Sequence, residues 1–112
     1  MIEFNQVVIF VTVDTREAAQ RIADRLLERR KAACVNIVPE VDSYFWWEGK
    51  LETAQEALMV IKTRASLVDE VVGLIKELHS YDVPEIIALP IVGGNRDYLE
   101  WIDGEVRELK ER

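Results

Sequence analysis

The stretch from Ala32 to Arg64, AACVNIVPEVDSYFWWEGKLETAQEALMVIKTR, limits what this chain can fold into more than any other part of it. It predicts one long β-hairpin that turns at Glu48-Gly49, with helical segments before and after it. The outward arm carries Val35, Ile37, Val38, Val41, Tyr44, Phe45, Trp46 and Trp47. Branched and aromatic side chains of this kind suit a pleated surface. Gly49 can supply the positive φ of a two-residue loop, which would set Trp47 against Lys50 and Trp46 against Leu51. Pro39 cannot donate to a ladder and predicts a bulge or an edge position. Both arms exceed the ~5–6 residues of a typical strand. Such a hairpin should project beyond its own domain and need another surface to cover its edge and its aromatics.

The segments on either side complete a pattern. Gln6 to Val13, QVVIFVTV, is an unbroken apolar run and predicts a strand buried on both faces. Asp14 and Glu17 form a capping-box pattern ahead of a helix from Thr15 to about Arg30, whose stripe is Ala19, Ile22, Ala23, Leu26 and Leu27. After the hairpin, Ser66 is placed to cap a second helix with Val68, Val71, Val72, Ile75 and Leu78 on its apolar side. Pro84 ends that helix near His79. Glu85 to Val92 predicts a last strand, at an edge or bulged because of Pro90. Asn95 opens a third helix with Tyr98, Leu99, Trp101, Ile102, Val106 and Leu109 on one side. The order β-α-β-β-α-β-α is α+β and ferredoxin-like (βαββαβ plus a C-terminal helix), as one domain spanning residues 1–112. Such a sheet carries its helices on one face and leaves the other for the hairpin, the third helix or another chain to cover.

Charge and composition narrow the function classes. A net charge of −7 argues against nucleic acid or an anionic membrane as the main partner. One cysteine, Cys34, permits no disulfide within the chain and fits a reducing compartment. No apolar run approaches the ~20 residues of a membrane span, and no signal-like core follows Met1. The expectation is a cytoplasmic protein.

No catalytic signature is present: no GxSxG, no phosphate-binding glycine loop, no HExxH and no CxxC. The chain is therefore read as a non-enzyme. His79 is the only histidine. It either stabilises the last carbonyls of the second helix or ligates a metal with help from Cys34, Asp82 or Glu85. Cys34 is either a small core residue or a reactive thiol. Lys62 either snorkels to water or reaches into a pocket to bind an anion. Trp46 and Trp47 anchor an oligomer or line a ligand patch, and the anchor is preferred because tryptophan is enriched at interface hot spots.

Five stretches in order resemble the divalent-cation tolerance protein CutA family. They are Ala32-Ala33-Cys34-Val35-Asn36-Ile37, Trp46-Trp47-Glu48-Gly49-Lys50, Leu58 to Thr63, the run from His79 to Glu85, and Asp97-Tyr98-Leu99-Glu100-Trp101. The resemblance implies a homotrimer similar to the PII nitrogen-signalling proteins, with Tyr44, Trp46, Trp47 and Trp101 at the trimer interface. It implies clefts between subunits lined by Cys34, Lys62, His79, Tyr81 and Glu85. It also implies an association with copper binding and divalent-metal tolerance, with weakly held Cu(II) or another divalent cation. Val11 stands where some members carry a cysteine, Leu78 precedes a histidine that others have as a pair, and Ser80 replaces a usual proline. The alternative within the same architecture is a PII-like sensor of a small anionic ligand, with no specific metal site.

Overall fold

The computed structural model describes residues 4–108. The chain order is β1 (Gln6–Val13), α1 (Arg16–Glu28), β2 (Cys34–Trp47), β3 (Lys50–Arg64), α2 (Val68–Leu78), β4 (Ile86–Pro90) and α3 (Arg96–Glu105), with a single 3₁₀ turn at Ala65–Leu67 before α2. The four strands form one sheet in the order β2-β3-β1-β4, and every neighbouring pair is antiparallel. This is the ferredoxin-like order.

Alternation along β1 decides how the sheet is used. Val7, Ile9, Val11 and Val13 are buried, while Val8, Phe10 and Thr12 between them are only partly covered. The expectation of a strand buried on both faces is therefore corrected: within one chain only one face is fully covered. On that face Ala57, Met59 and Ile61 of β3 meet Ile22 and Leu26 of α1 and Val71 and Ile75 of α2. Burying a side chain of this size contributes ~1.5–3 kcal/mol, so this layer dominates the stability of the single chain. Val11 lies fully within it.

The outer face reads Cys34, Asn36 and Val38 on β2, Leu58, Val60 and Lys62 on β3, Val8, Phe10 and Thr12 on β1, and Ile87 and Leu89 on β4, each set against its cross-strand partners. Helix α3 covers one end of it. Gln6 donates from Nε2 to the Asp103 carboxylate at 3.0 Å, and Arg64 lies 3.7 Å from the same group. Ile102 is fully buried beneath the helix. Ile87 and Leu89 stay exposed.

Two local expectations hold and two change. The hairpin turns at Glu48 (φ 50°) and Gly49 (φ 79°), both left-handed, and sets Trp47 against Lys50 and Trp46 against Leu51. Two left-handed residues in a two-residue loop make a type I′ turn, whose twist matches that of the flanking strands. A bulge falls between Val38 and Val41, at Pro39. At the start of α1, however, Thr15 and not Asp14 is the cap, with its hydroxyl accepting from the Ala18 amide at 3.0 Å. Ser66 does not cap α2; its hydroxyl is taken by the Glu108 carboxylate, and the 3₁₀ turn leads into the helix instead.

Helix α1 stops at Arg30, which adopts a left-handed φ of 58° without being glycine. Arg30 donates its amide to the Leu27 carbonyl and Lys31 donates to Leu26, which satisfies the last carbonyls of the helix. That leaves Leu27 exposed and outside the core. Leu109, expected on the third helix, lies outside the described residues. None of the described helices is long and apolar enough to cross a membrane.

Candidate functional site

The bulge at Pro39 decides which residues meet on the outer face. Counted without a break from the turn, the ladder would place Cys34 against Thr63, on the core side. The extra residue moves it one step, so Cys34 pairs with Lys62 and both reach the outer face. Lys62 Nζ lies 4.0 Å from Cys34 Sγ and donates to the Asn36 side-chain carbonyl. No carboxylate pairs with Lys62 among the described residues. Tyr98, on α3, closes this group from above: burial, and then the neighbouring Cys34, push its phenol above the ordinary value.

A second group sits at the other end of the sheet. His79 follows α2, and its backbone amide donates to the Ile75 carbonyl at 2.9 Å. The ring is engaged on both nitrogens. Nε2 lies 2.7 Å from the Thr12 carbonyl oxygen, and Nδ1 accepts the Tyr81 amide at 3.1 Å. Because the amide can only donate and the carbonyl can only accept, the proton belongs on Nε2 and the imidazole is neutral. The ring also packs against Tyr81, with centroids 4.8 Å apart. The Tyr81 hydroxyl donates to Glu56 Oε2 at 2.9 Å. Burial first, then the bond to Glu56, push the Tyr81 phenol up to about 12. Thr12 donates from its hydroxyl to Glu85 Oε1 at 3.5 Å, a weak contact.

The residues expected to line one cleft therefore fall into two groups within a chain. Cys34 and Lys62 form one; His79, Tyr81 and Glu85 form the other, with Asp82 on the same loop. Glu56, which holds Tyr81, is six residues along β3 from Lys62, roughly 20 Å at the rise of a strand. Within one chain the two groups do not meet. The proposed copper ligands do not fit a metal within one chain either. The one lone pair His79 could offer, on Nδ1, is taken by the Tyr81 amide, and Cys34 lies beside an ammonium group. Among the described residues no three His, Cys, Asp or Glu side chains converge as a metal ion would require.

The aromatic residues of the hairpin lie on both sides of it. Trp47 and Phe45 share the outer face, while Trp46 and Tyr44 point the other way, beyond the reach of the helices. Tyr44 and Trp46 are 74% and 72% exposed, the most open aromatics of the chain. Trp101 is half-exposed and stacks on Tyr98 at 5.4 Å. Sequence reasoning missed Glu56, Asn36 and Thr12 as members of these groups. The signal for Glu56 was the turn itself: counting back from Glu48-Gly49 sets it against Val41, on the face of Phe45 and Trp47.

Residues 7–105 match the family model for the CutA1 divalent ion tolerance protein. The chain belongs to the CutA1 family. It is 52% identical over 102 residues to the rice protein CutA 1, chloroplastic, a match covering 91% of this chain and 58% of that protein. The chain thus spans little more than half the length of that plant relative. The divalent-cation tolerance protein CutA of Archaeoglobus fulgidus is 50% identical, with 88% of this chain and 95% of that one covered. The crystal structure of CutA1 from Oryza sativa superposes with a TM-score of 0.90 at 50% identity, covering 95% of this chain and 97% of that one. The chain thus shares with these relatives the α+β sheet described above.

Proposed function

We propose that this CutA1 chain works as a cytoplasmic homotrimer in divalent-cation tolerance and carries out no reaction of its own. One observation carries the reading. The outer sheet face presents Val8, Phe10, Val60, Ile87 and Leu89, and α3 covers only one end of it. An apolar face of this kind, continuous with a projecting aromatic hairpin, is stable in water when a neighbouring copy covers it. Tyr44, Trp46, Trp47 and Trp101 are available to extend that contact. The acidic net charge supports a role without nucleic acid or membrane as partner.

In this reading Cu(II) or another divalent cation is held weakly, by carboxylates such as Asp82 and Glu85 brought together between copies, and not by the His79 ring. Calorimetric titration with Cu(II) and Zn(II) tests it. The expected result is weak binding that His79→Ala leaves unchanged and that Asp82→Asn with Glu85→Gln reduces. Tight binding of one ion per chain, lost in His79→Ala, would overturn it.

A second reading, a PII-like sensor of a small anionic ligand, rests on Lys62. Its ammonium group is partly buried and has only Asn36 and Cys34 as partners among the described residues. A phosphate or carboxylate ligand would supply the missing charge. A native mass spectrum of the purified assembly should then carry an anionic adduct that Lys62→Ala removes.

A further inference from the structure

His79 makes a link across a turn that only its neutral form can make. Its Nδ1 accepts the amide of Tyr81, two residues on, at 3.1 Å. Asparagine and aspartate make the same link in Asx turns, but their acceptors take up no proton near neutral pH. Nε2 meanwhile donates to the Thr12 carbonyl of β1 at 2.7 Å. The ring is half-buried and packs on the Tyr81 ring. It thus fastens the start of the loop before β4. Tyr81 fastens that loop a second time, through its hydroxyl to Glu56 of β3 at 2.9 Å. All these partners belong to one chain, so the arrangement does not depend on what neighbouring copies cover.

Histidine is the side chain that ordinarily changes charge between pH 5 and 8, and His79 is the only one in the sequence. A second proton can enter the ring only at Nδ1, because Nε2 already carries one. There it meets an N–H, and two donors face each other. Both cannot be satisfied, so the Tyr81 amide must leave. The surrounding charges favour that outcome over loss of the proton. The charges of Glu56 and of Asp14, just after β1, both reach Tyr81. Glu85 accepts from Thr12, and Asp82 adjoins Tyr81 on the loop. On α2 itself Lys76 and Glu77 are exposed. None of the four acids near the ring pairs with a basic side chain among the described residues. Unpaired carboxylates attract an imidazolium.

We propose that His79 is an acid-operated latch: below neutral pH its ring exchanges the Tyr81 amide for a proton, and the loop from Tyr81 to Glu85 comes away from β1 and β3. One proton from solvent replaces one hydrogen bond, and the exchange reverses as the pH rises. The same step loosens the hold of Tyr81 on Glu56. The latch needs no metal ion and does not rest on the cation reading above.

Amide hydrogen exchange of the assembled protein, corrected for the intrinsic effect of pH, tests it. Between about pH 7.5 and about pH 5, the range in which an imidazole titrates, the Tyr81 amide should lose protection while the core amides of β1 and α1 keep theirs. The loss should be at least about tenfold, as for a hydrogen bond left unmade. Nitrogen shifts of the ring should show Nδ1 gaining its proton with the same midpoint as the exchange. His79→Asn keeps an acceptor at the place of Nδ1 and does not titrate, so its Tyr81 amide should be equally protected at both pH values. A Tyr81 amide equally protected at both in the parent would overturn the latch. So would equal losses in parent and His79→Asn, which would assign the change to the carboxylates. Loss spread evenly over the core would overturn it, as would separate midpoints for ring and amide. These last two comparisons need the parent alone and stand if His79→Asn does not fold.

Discussion

The hydroxyl of Tyr81 donates to Oε2 of Glu56 at 2.9 Å, which ties the loop before β4 to the middle of β3. Burial and that bond hold the phenol proton, with a folded-state value of about 12 against 10.0 ordinarily. The folded chain thus keeps the proton where the unfolded chain has lost it. The contribution to stability is full below pH ~10 and lost as the pH rises through ~12. Ultraviolet titration of tyrosinate should show a late phase that Tyr81→Phe diminishes. Glu56→Gln should move that phase down but not back to the ordinary value, because burial is the larger cause. A Tyr81 phase at the ordinary value in the parent would refute the contact.

His79 bridges two backbone groups, the Thr12 carbonyl and the Tyr81 amide. Replacing it by alanine leaves both without their partner and should destabilise the chain by about 1–3 kcal/mol in denaturant unfolding. The tautomer can be read from nitrogen chemical shifts of the ring, which should report a protonated Nε2 and a free-base Nδ1. A protonated Nδ1 would contradict the bridge.

Glu48 occupies the first loop position of the hairpin at φ 50°, a region that asparagine tolerates better than glutamate. Glu48→Asn should therefore stabilise the protein by up to about 1 kcal/mol, with the assembly state unchanged. A fall in the thermal midpoint would show that the Glu48 side chain makes a contact that the single chain does not display.

Trp46 and Trp47 are neighbours in sequence but face opposite ways. Their single alanine variants should therefore behave differently. Trp47→Ala should move the late Tyr81 titration phase down, since that ring and Tyr81 line the same hollow. Trp46→Ala should leave that phase unchanged and destabilise the assembly, by the ~2 kcal/mol or more typical of an interface anchor. Identical behaviour of the two would contradict the register.

Much of this was legible in the sequence because turns and breakers act locally. Glu48-Gly49 set the ladder register, Pro39 placed the bulge, and Pro90 put β4 at an edge. What failed depended on tertiary competition. Asp14 and Ser66 looked like caps, but Thr15 took the first role and the Glu108 carboxylate took the Ser66 hydroxyl. The apolar run of β1 suggested two buried faces. The single chain covers one, because Val8 and Phe10 lie on the side that α3 covers at one end only. At the candidate site the sequence offered the polar residues but not their grouping. The meeting of Cys34 with Lys62 depends on the bulge, and the partner of Tyr81 is Glu56, a residue with no motif to mark it.

Sedimentation equilibrium at micromolar concentration tests the central claim most directly, that the outer sheet face is buried against other copies. The account predicts a particle of about 39 kDa, three chains of 12.9 kDa, which Phe10→Lys or Leu89→Lys shifts toward the single chain. A parent protein that sediments as one 12.9 kDa chain at every concentration would contradict it.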